Sequence, residues 1–230
     1  MKKIQSVASR TDIAVLGPTA KIEERDGYWV VFCPDNPGFI WGNYLLWPNP
    51  PREGESEHWI RLYDDYFKNK EGIINQTFLL DTLDGSAGAS DEFTKAGFAQ
   101  EKTAVLTCEE LVKPAKLNDK IEVRPIVGDK EYEAAVDMQV RSRDECFSED
   151  TYRSFRVARM AAYRALVDEG KGQWYGAFID GNLVGDLGVF IIDGLARYQF
   201  VTTCPNYRRQ GVCTTLMYET ALMTLACNEV

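Results

Sequence analysis

A single histidine, His58, serves all 230 residues, and six scattered cysteines never form a Cys-x-x-Cys pair. Both scarcities argue against a zinc site, so no metal is expected. Thiols at 33, 108, 146, 204, 213 and 227 read instead as those of a reduced, cytoplasmic protein. No apolar run reaches membrane-spanning length, and Met1 to Ser6 lacks the continuous apolar stretch of a secretory signal. No membrane partner is expected. Basic charge is also short: 26 Lys and Arg stand against 35 Asp and Glu, a net charge of −9. Phosphate would be repelled over most of such a surface, which speaks against sequence-independent nucleic-acid binding. A cationic amine would be tolerated. Apolar content is ample, with 45% hydrophobic and 12% aromatic residues, enough for a packed core in one large or two small domains.

The most informative stretch runs from Phe200 to Cys213. A β-rich run ends at Pro205, Arg208, Arg209 and Gly211 follow, and a helix begins at once through Thr214, Leu216, Met217, Ala221, Leu222 and Leu225. A strand that delivers a Gly-containing turn onto a helix N-terminus makes an anion site, because the first helical N–H groups lack internal partners and the dipole adds partial positive charge. The two arginines add full charges. Taken alone, the six residues from Arg208 to Cys213 also read as a basic turn before a surface helix.

The flanks decide between the two. Gln173 to Ile192 reads as strand, Asp-Gly-Asn hairpin turn and strand, then Gly194 breaks the chain and 196–203 is a third strand. Earlier, 121–126 reads as an opening strand, followed by helices at about 131–142 and 149–169. Strand, two helices, three-strand meander, phosphate turn, helix is the order of the GNAT N-acetyltransferases. The segment Arg208-Arg209-Gln210-Gly211-Val212-Cys213 resembles that family's acetyl-CoA motif, Gln/Arg-x-x-Gly-x-Gly/Ala, with Cys213 in place of the usual Gly or Ala. The resemblance implies an α+β fold, a mixed and mostly antiparallel sheet flanked by helices. It implies acetyl-CoA as co-substrate, with Val201, Thr202 and Thr203 on the pantetheine and Arg208, Arg209, Gln210, Gly211, Val212, Cys213 and Thr214 around the pyrophosphate.

In the N-terminal half, 1–20 has little periodicity and reads as an irregular arm. Tyr28–Cys33 and Phe39–Trp47 read as strands, and an acid- and proline-rich link, Pro48 to Glu57, leads into a helix at about 57–69 with Trp59, Leu62, Tyr63, Tyr66 and Phe67 on its apolar face. A strand at 76–80, a short helix at 88–96 and a strand at 102–108 complete it, and 113–120 reads as a linker. Glu92 to Phe98 is similar to the family's Leu-Tyr-x-x-x-Gly-Phe helix end, but Phe93 holds the place of the tyrosine that protonates the leaving thiolate. Pro48 to Glu57 offers few N–H donors and three glutamates where a phosphate turn should lie. The expected organisation is a degenerate GNAT-like domain over 1–112, a linker over 113–120 and the acetyl-CoA-binding domain over 121–230. An unrelated α+β domain is the alternative for the first half.

No catalytic residue is assigned. Arg197 occupies the place where some family members carry a glutamate base, and arginine stays protonated. Asp186 and Glu149 are the candidate bases, with Asp193 and Glu145 behind them, and each also reads as a solvated surface carboxylate. His58 sits at a helix start in the half without a phosphate turn and reads as a surface residue. Arg153, Arg156 and Arg159 read as a solvated, charge-paired face, with guidance of an anionic substrate as the alternative. The family fold continues beyond this helix with a strand, a tyrosine-bearing helix and a closing hairpin, whereas the sequence ends at Val230. A truncated sequence is therefore expected, with equivalents supplied by the N-terminal half as the alternative, and the proton donor is unnamed. The expected activity is acetyl transfer to a primary amine of a small molecule or peptide, with a CoA-binding regulatory protein or another nucleotide module as alternatives. A homodimer is compatible with all of this.

Overall fold

The computed structural model describes residues 4–227. The chain end at Val230, on which the expectation of truncation rested, and Met1 to Lys3 lie outside them. The chain forms two compact α+β units, Met1–Thr107 and Cys108–Val230, each with its own four-stranded sheet.

In the first unit, strands β1 (Lys21–Glu24), β2 (Trp29–Phe32) and β3 (Asn43–Trp47) form an antiparallel meander. Helix α2 (Ser56–Phe67) then carries the chain to β4 (Phe78–Leu80), which lies parallel to β3. The buried side of α2 is Trp59, Tyr63 and Phe67, the residues its apolar periodicity selects. The expected strand over 39–47 is instead a 3₁₀ turn at Ile40–Gly42 followed by β3.

Two expectations fail here. The described part of the expected irregular arm, residues 4–20, contains a helix: α1 spans Val7–Ala14, capped by the Ser6 hydroxyl, which accepts from the Ser9 N–H at 3.0 Å. The entry to α1 is held by Asp81, a fully buried carboxylate that accepts the N–H groups of Gln5 at 2.5 Å and Ser6 at 3.0 Å. That anchor is more than 70 residues away in sequence, which is why local periodicity gave no sign of it. Nor is 102–108 a strand. It has no neighbour to pair with, and Val105 and Leu106 are exposed.

The second unit opens with β5 (Glu122–Pro125), α4 (Gly128–Arg141) and α5 (Glu149–Asp168), then the meander β6 (Gly172–Ile179), β7 (Asn182–Ile192) and β8 (Leu195–Thr203), and α6 (Val212–Cys227). The sheet order is β5-β6-β7-β8, antiparallel throughout. Asp180 and Gly181, at φ of 50° and 75°, close the β6–β7 hairpin as a two-residue turn. Ser148 caps α5, accepting from the Thr151 N–H, with Glu149 and Asp150 in its first turn. The pleat divides the sheet: Tyr175, Ala177, Leu187 and Val189 pack with Val212 and Leu216 of α6, while Trp174 and Phe190 face Tyr163 of α5.

Removing the Asp81 carboxylate orphans the two amides it holds and should destabilise the first unit by about 2 kcal/mol. Asp81→Ala is therefore expected to lower the denaturant midpoint of the first unit and to raise proteolysis within α1. An unchanged midpoint would show that the anchor contributes nothing.

Candidate functional site

The β7–β8 ladder is out of step in one place. Asp186 pairs with Thr202 and Gly188 with Gln199, so Leu187 faces two residues, Phe200 and Val201. This is a β-bulge, and Phe200 takes the left-handed φ of 49° that the extra residue imposes. Phe200, Val201, Thr202 and Thr203 then line a cleft of about 310 Å³ together with Gln139, Ser142, Tyr152 and Arg208. The expected pantetheine residues and the first turn residue thus share one cleft.

Beyond Thr203 the chain makes a 3₁₀ turn at Pro205–Tyr207, runs extended through Arg208 and turns left-handed at Arg209 (φ 64°) and Gly211 (φ 79°) before α6 begins. Helical hydrogen bonding starts at Thr215, whose N–H reaches the Gly211 carbonyl at 2.9 Å. The amides of Gly211 to Thr214 precede that bond and are the helix's free donors. Gly211 is there for its backbone: a Cβ would meet only Asn118, at an ordinary 3.5 Å, but a side chain at φ 79° is strained. Gly185 serves a different purpose. A Cβ there would stand 2.8 Å from the Val212 side chain, so its absence lets the first residue of α6 settle onto β7. Arg208, Arg209 and Cys213 are exposed.

Behind the bulge lies a buried polar chain that joins α4, α5 and β7. The Arg156 Nε donates to Gln139 Oε1 at 2.8 Å, and Gln139 Nε2 donates to Asp186 Oδ2 at 2.5 Å. Trp174 Nε1 donates to the same oxygen at 3.0 Å. The Arg156 guanidinium also lies 3.4 Å from the Phe200 ring centroid, a cation–π contact onto the bulged residue. The three arginines of α5 are therefore not one solvated face. Arg153 pairs at the surface with Asp137 and Glu149, but Arg156 and Arg159 are 1% and 2% exposed, because they fall on the stripe that continues through Met160, Tyr163 and Leu166.

Of the candidate bases, Asp186 is fully buried rather than solvated. Burial pushes its carboxyl up to about 7, against the opposing pull of the Trp174 and Gln139 hydrogen bonds and the Arg156 charge. Its Oδ1 accepts no hydrogen bond among the described residues, which leaves that oxygen free to carry a proton. Glu149 lies at the start of α5 in ion pairs with Arg143 and Arg153. Glu145 is exposed in the loop before α5, and Asp193 turns the chain between β7 and β8 at φ 50°. Arg197 stands on β8 opposite Phe190, with its Nε donating to Gln199 Oε1 at 3.2 Å. His58 is exposed on α2. Among the described residues no three His, Cys, Asp or Glu side chains gather as metal ligands, and no helix is long and apolar enough to cross a membrane.

The first unit shares with the second a three-strand antiparallel meander followed by a helix. β3 and β4 remain paired through Trp47 and Leu80, so their facing amides are spent on each other. Phe93, on α3 (Asp91–Lys95), is packed among Trp59, Phe78 and Phe98 with ring centroids 5.3–5.7 Å apart.

Asn118 was missed by sequence reading. It lies in the segment read as linker, yet its backbone N–H donates to Thr215 Oγ1 at 2.9 Å and its Nδ2 to the Gln210 carbonyl at 2.8 Å. The only sequence signal was an Asn-Asp pair before a strand, which reads equally as an ordinary turn.

The pH dependence of stability follows from Asp186. Its folded pKa lies above the unfolded value of 3.8, so the folded state holds the proton more tightly. That contribution is complete below about pH 4 and is lost as pH rises through about 7. Asp186→Asn, whose amide oxygen can take both existing hydrogen bonds, should gain stability relative to the parent between pH 4 and 7. Parallel pH profiles for the two proteins would refute the assignment.

The family model for "Acetyltransferase (GNAT) family" matches residues 133–225. No curated protein matches the sequence. Among solved structures, a functionally unknown conserved protein from Staphylococcus epidermidis superposes with a TM-score of 0.69 at 12% identity, covering 93% of this chain and 82% of that one. A GCN5-related N-acetyltransferase from Kribbella flavida superposes with a TM-score of 0.61, also at 12% identity, covering 95% and 79%. At such identities the likeness concerns the fold, and it extends over both units. The match over α4 to α6 makes the second unit similar to the GNAT acetyltransferase family, and the chain shares the fold of the Kribbella flavida protein.

Proposed function

We propose that the C-terminal unit binds acetyl-CoA and passes its acetyl group to a primary amine. The observation that carries this reading is the meeting, in one place, of a bulged strand lining a cleft and a strand–turn–helix junction with unspent amides. The backbone of Val201, Thr202 and Thr203 is suited to pairing with the pantetheine amides. The turn from Arg208 to Thr214 supplies N–H donors, a helix N-terminus and two cationic side chains for the pyrophosphate. Held this way, the thioester presents a fixed carbonyl to an incoming amine. Asp186 is shielded from solvent, so it supports the bulge and does not serve as a direct base. The amine therefore reacts from its own neutral fraction or loses its proton to water.

A second reading, a CoA-binding regulatory protein without turnover, is favoured by Arg197 in the place of a base and by the closed-off Asp186. Release of free thiol from acetyl-CoA with a panel of amines separates the two. Turnover with any amine supports transfer, and tight binding with no release supports regulation.

Titration is expected to give one acetyl-CoA per chain, because the paired β3 and β4 leave no slot in the first unit. Two sites of equal affinity would refute that. Gly211→Val forces a β-branched residue to φ 79° or rearranges the turn, and should weaken acetyl-CoA binding about tenfold or more. Unchanged affinity in a folded variant would sink the site.

A further inference from the structure

We propose that Asn118 is a positioning residue for the pyrophosphate-binding turn, acting through the Gln210–Gly211 peptide; the inference rests on the acetyl-CoA reading above. That peptide joins Gln210 to Gly211, whose φ is 79°, one residue after the left-handed Arg209 at φ 64°. A peptide so placed has a competing orientation within reach, since glycine admits either sign of φ at little cost. The Asn118 side chain takes a side in this choice. Its Nδ2 donates to the Gln210 carbonyl at 2.8 Å across 92 residues. No peptide bond in the described chain is cis, and in a trans peptide the N–H points opposite to the C=O. Holding the Gln210 carbonyl against Asn118 therefore turns the Gly211 N–H the other way, away from Asn118.

The rest of Asn118 holds the same turn from its helical end. Its own N–H donates to the hydroxyl of Thr215, 3% exposed, whose N–H makes the first helical bond to Gly211. The amide's orientation is fixed by chemistry: Oδ1 accepts from the Lys120 N–H at 3.0 Å, so the nitrogen must face Gln210. A segment outside the turn thus grips both ends of its last four residues, and the ligand it serves is a diphosphate ester.

The test compares two ligands that share the acyl-pantetheine arm and differ in the pyrophosphate: acetyl-CoA and S-acetylpantetheine. Asn118→Ala and Asn118→Leu remove the donor without adding charge. One hydrogen bond of this kind corresponds to about a three- to tenfold rise in acetyl-CoA Kd. The Kd for S-acetylpantetheine should stay unchanged, a split that loss of structure would not produce. Thr215→Val, which removes only the acceptor for the Asn118 N–H, should show the same split and serves if the Asn118 variants fail to fold. Unchanged acetyl-CoA affinity in the folded variants overturns the proposal, and so does equal weakening of both ligands. If the parent protein binds the two ligands equally well, the turn is not a pyrophosphate site, and this inference fails while the acyl-donor reading stands. If the parent binds neither, both fall.

Discussion

The approach of helix α6 to the sheet sets everything else in the second unit. Val212 is buried over β7 at a point where Gly185 leaves room for it, and Leu216 continues the contact one turn later. Docking at the very first residue brings the N-terminus of the helix to the end of β8, rather than out over solvent. Its free amides and the bulge are thereby placed along one path. A side chain at 185 would push the helix start away, and the amides with it. The energetic driver is ordinary burial of apolar area, about 25 cal/mol per Å², but its consequence is electrostatic: a helix N-terminus with free amides at the edge of a sheet in a chain of net charge −9.

The bulge has its own support. A left-handed phenylalanine is costly unless its surroundings impose it, and here the surroundings are unusual. Arg156 is buried beneath the ring and tied through Gln139 to Asp186. A buried cation needs a partner, and the cheapest one available is a shared amide rather than a direct ion pair. The chain of side chains links both helices on that face to β7, the strand paired with the bulged β8. The backbone geometry of the cleft thus depends on side chains behind it.

The two units share a meander followed by a helix and differ in what lies beside its last strand. In the first, β3 and β4 pair directly and the aromatic cluster of Trp59, Phe78, Phe93 and Phe98 fills the space beside them. Phe93 gains from that packing, about 2 kcal/mol for a buried ring, and a hydroxyl there would need a partner. Ahead of α2, Pro48, Pro50 and Pro51 lack backbone N–H groups, and Glu53, Glu55 and, in its first turn, Glu57 add negative charge.

What the sequence determined by itself was local: helices α2, α4, α5 and α6, the Asp180–Gly181 hairpin and the turn from Arg208 to Cys213. Each is written in periodicity, caps or glycine placement within a few residues. The family resemblance followed from the order of these elements and one short motif. Tertiary structure alone decided the rest. Asp81 anchors α1 from more than 70 residues away, Asn118 reaches the phosphate turn from a stretch without periodicity, and two of three evenly spaced arginines turn inward. Asp186, which reads on paper like any strand carboxylate, is fully enclosed. The reason is common to all four. Burial and hydrogen-bond partners of a polar side chain depend on which distant segment lies across from it, and a local pattern carries no record of that segment.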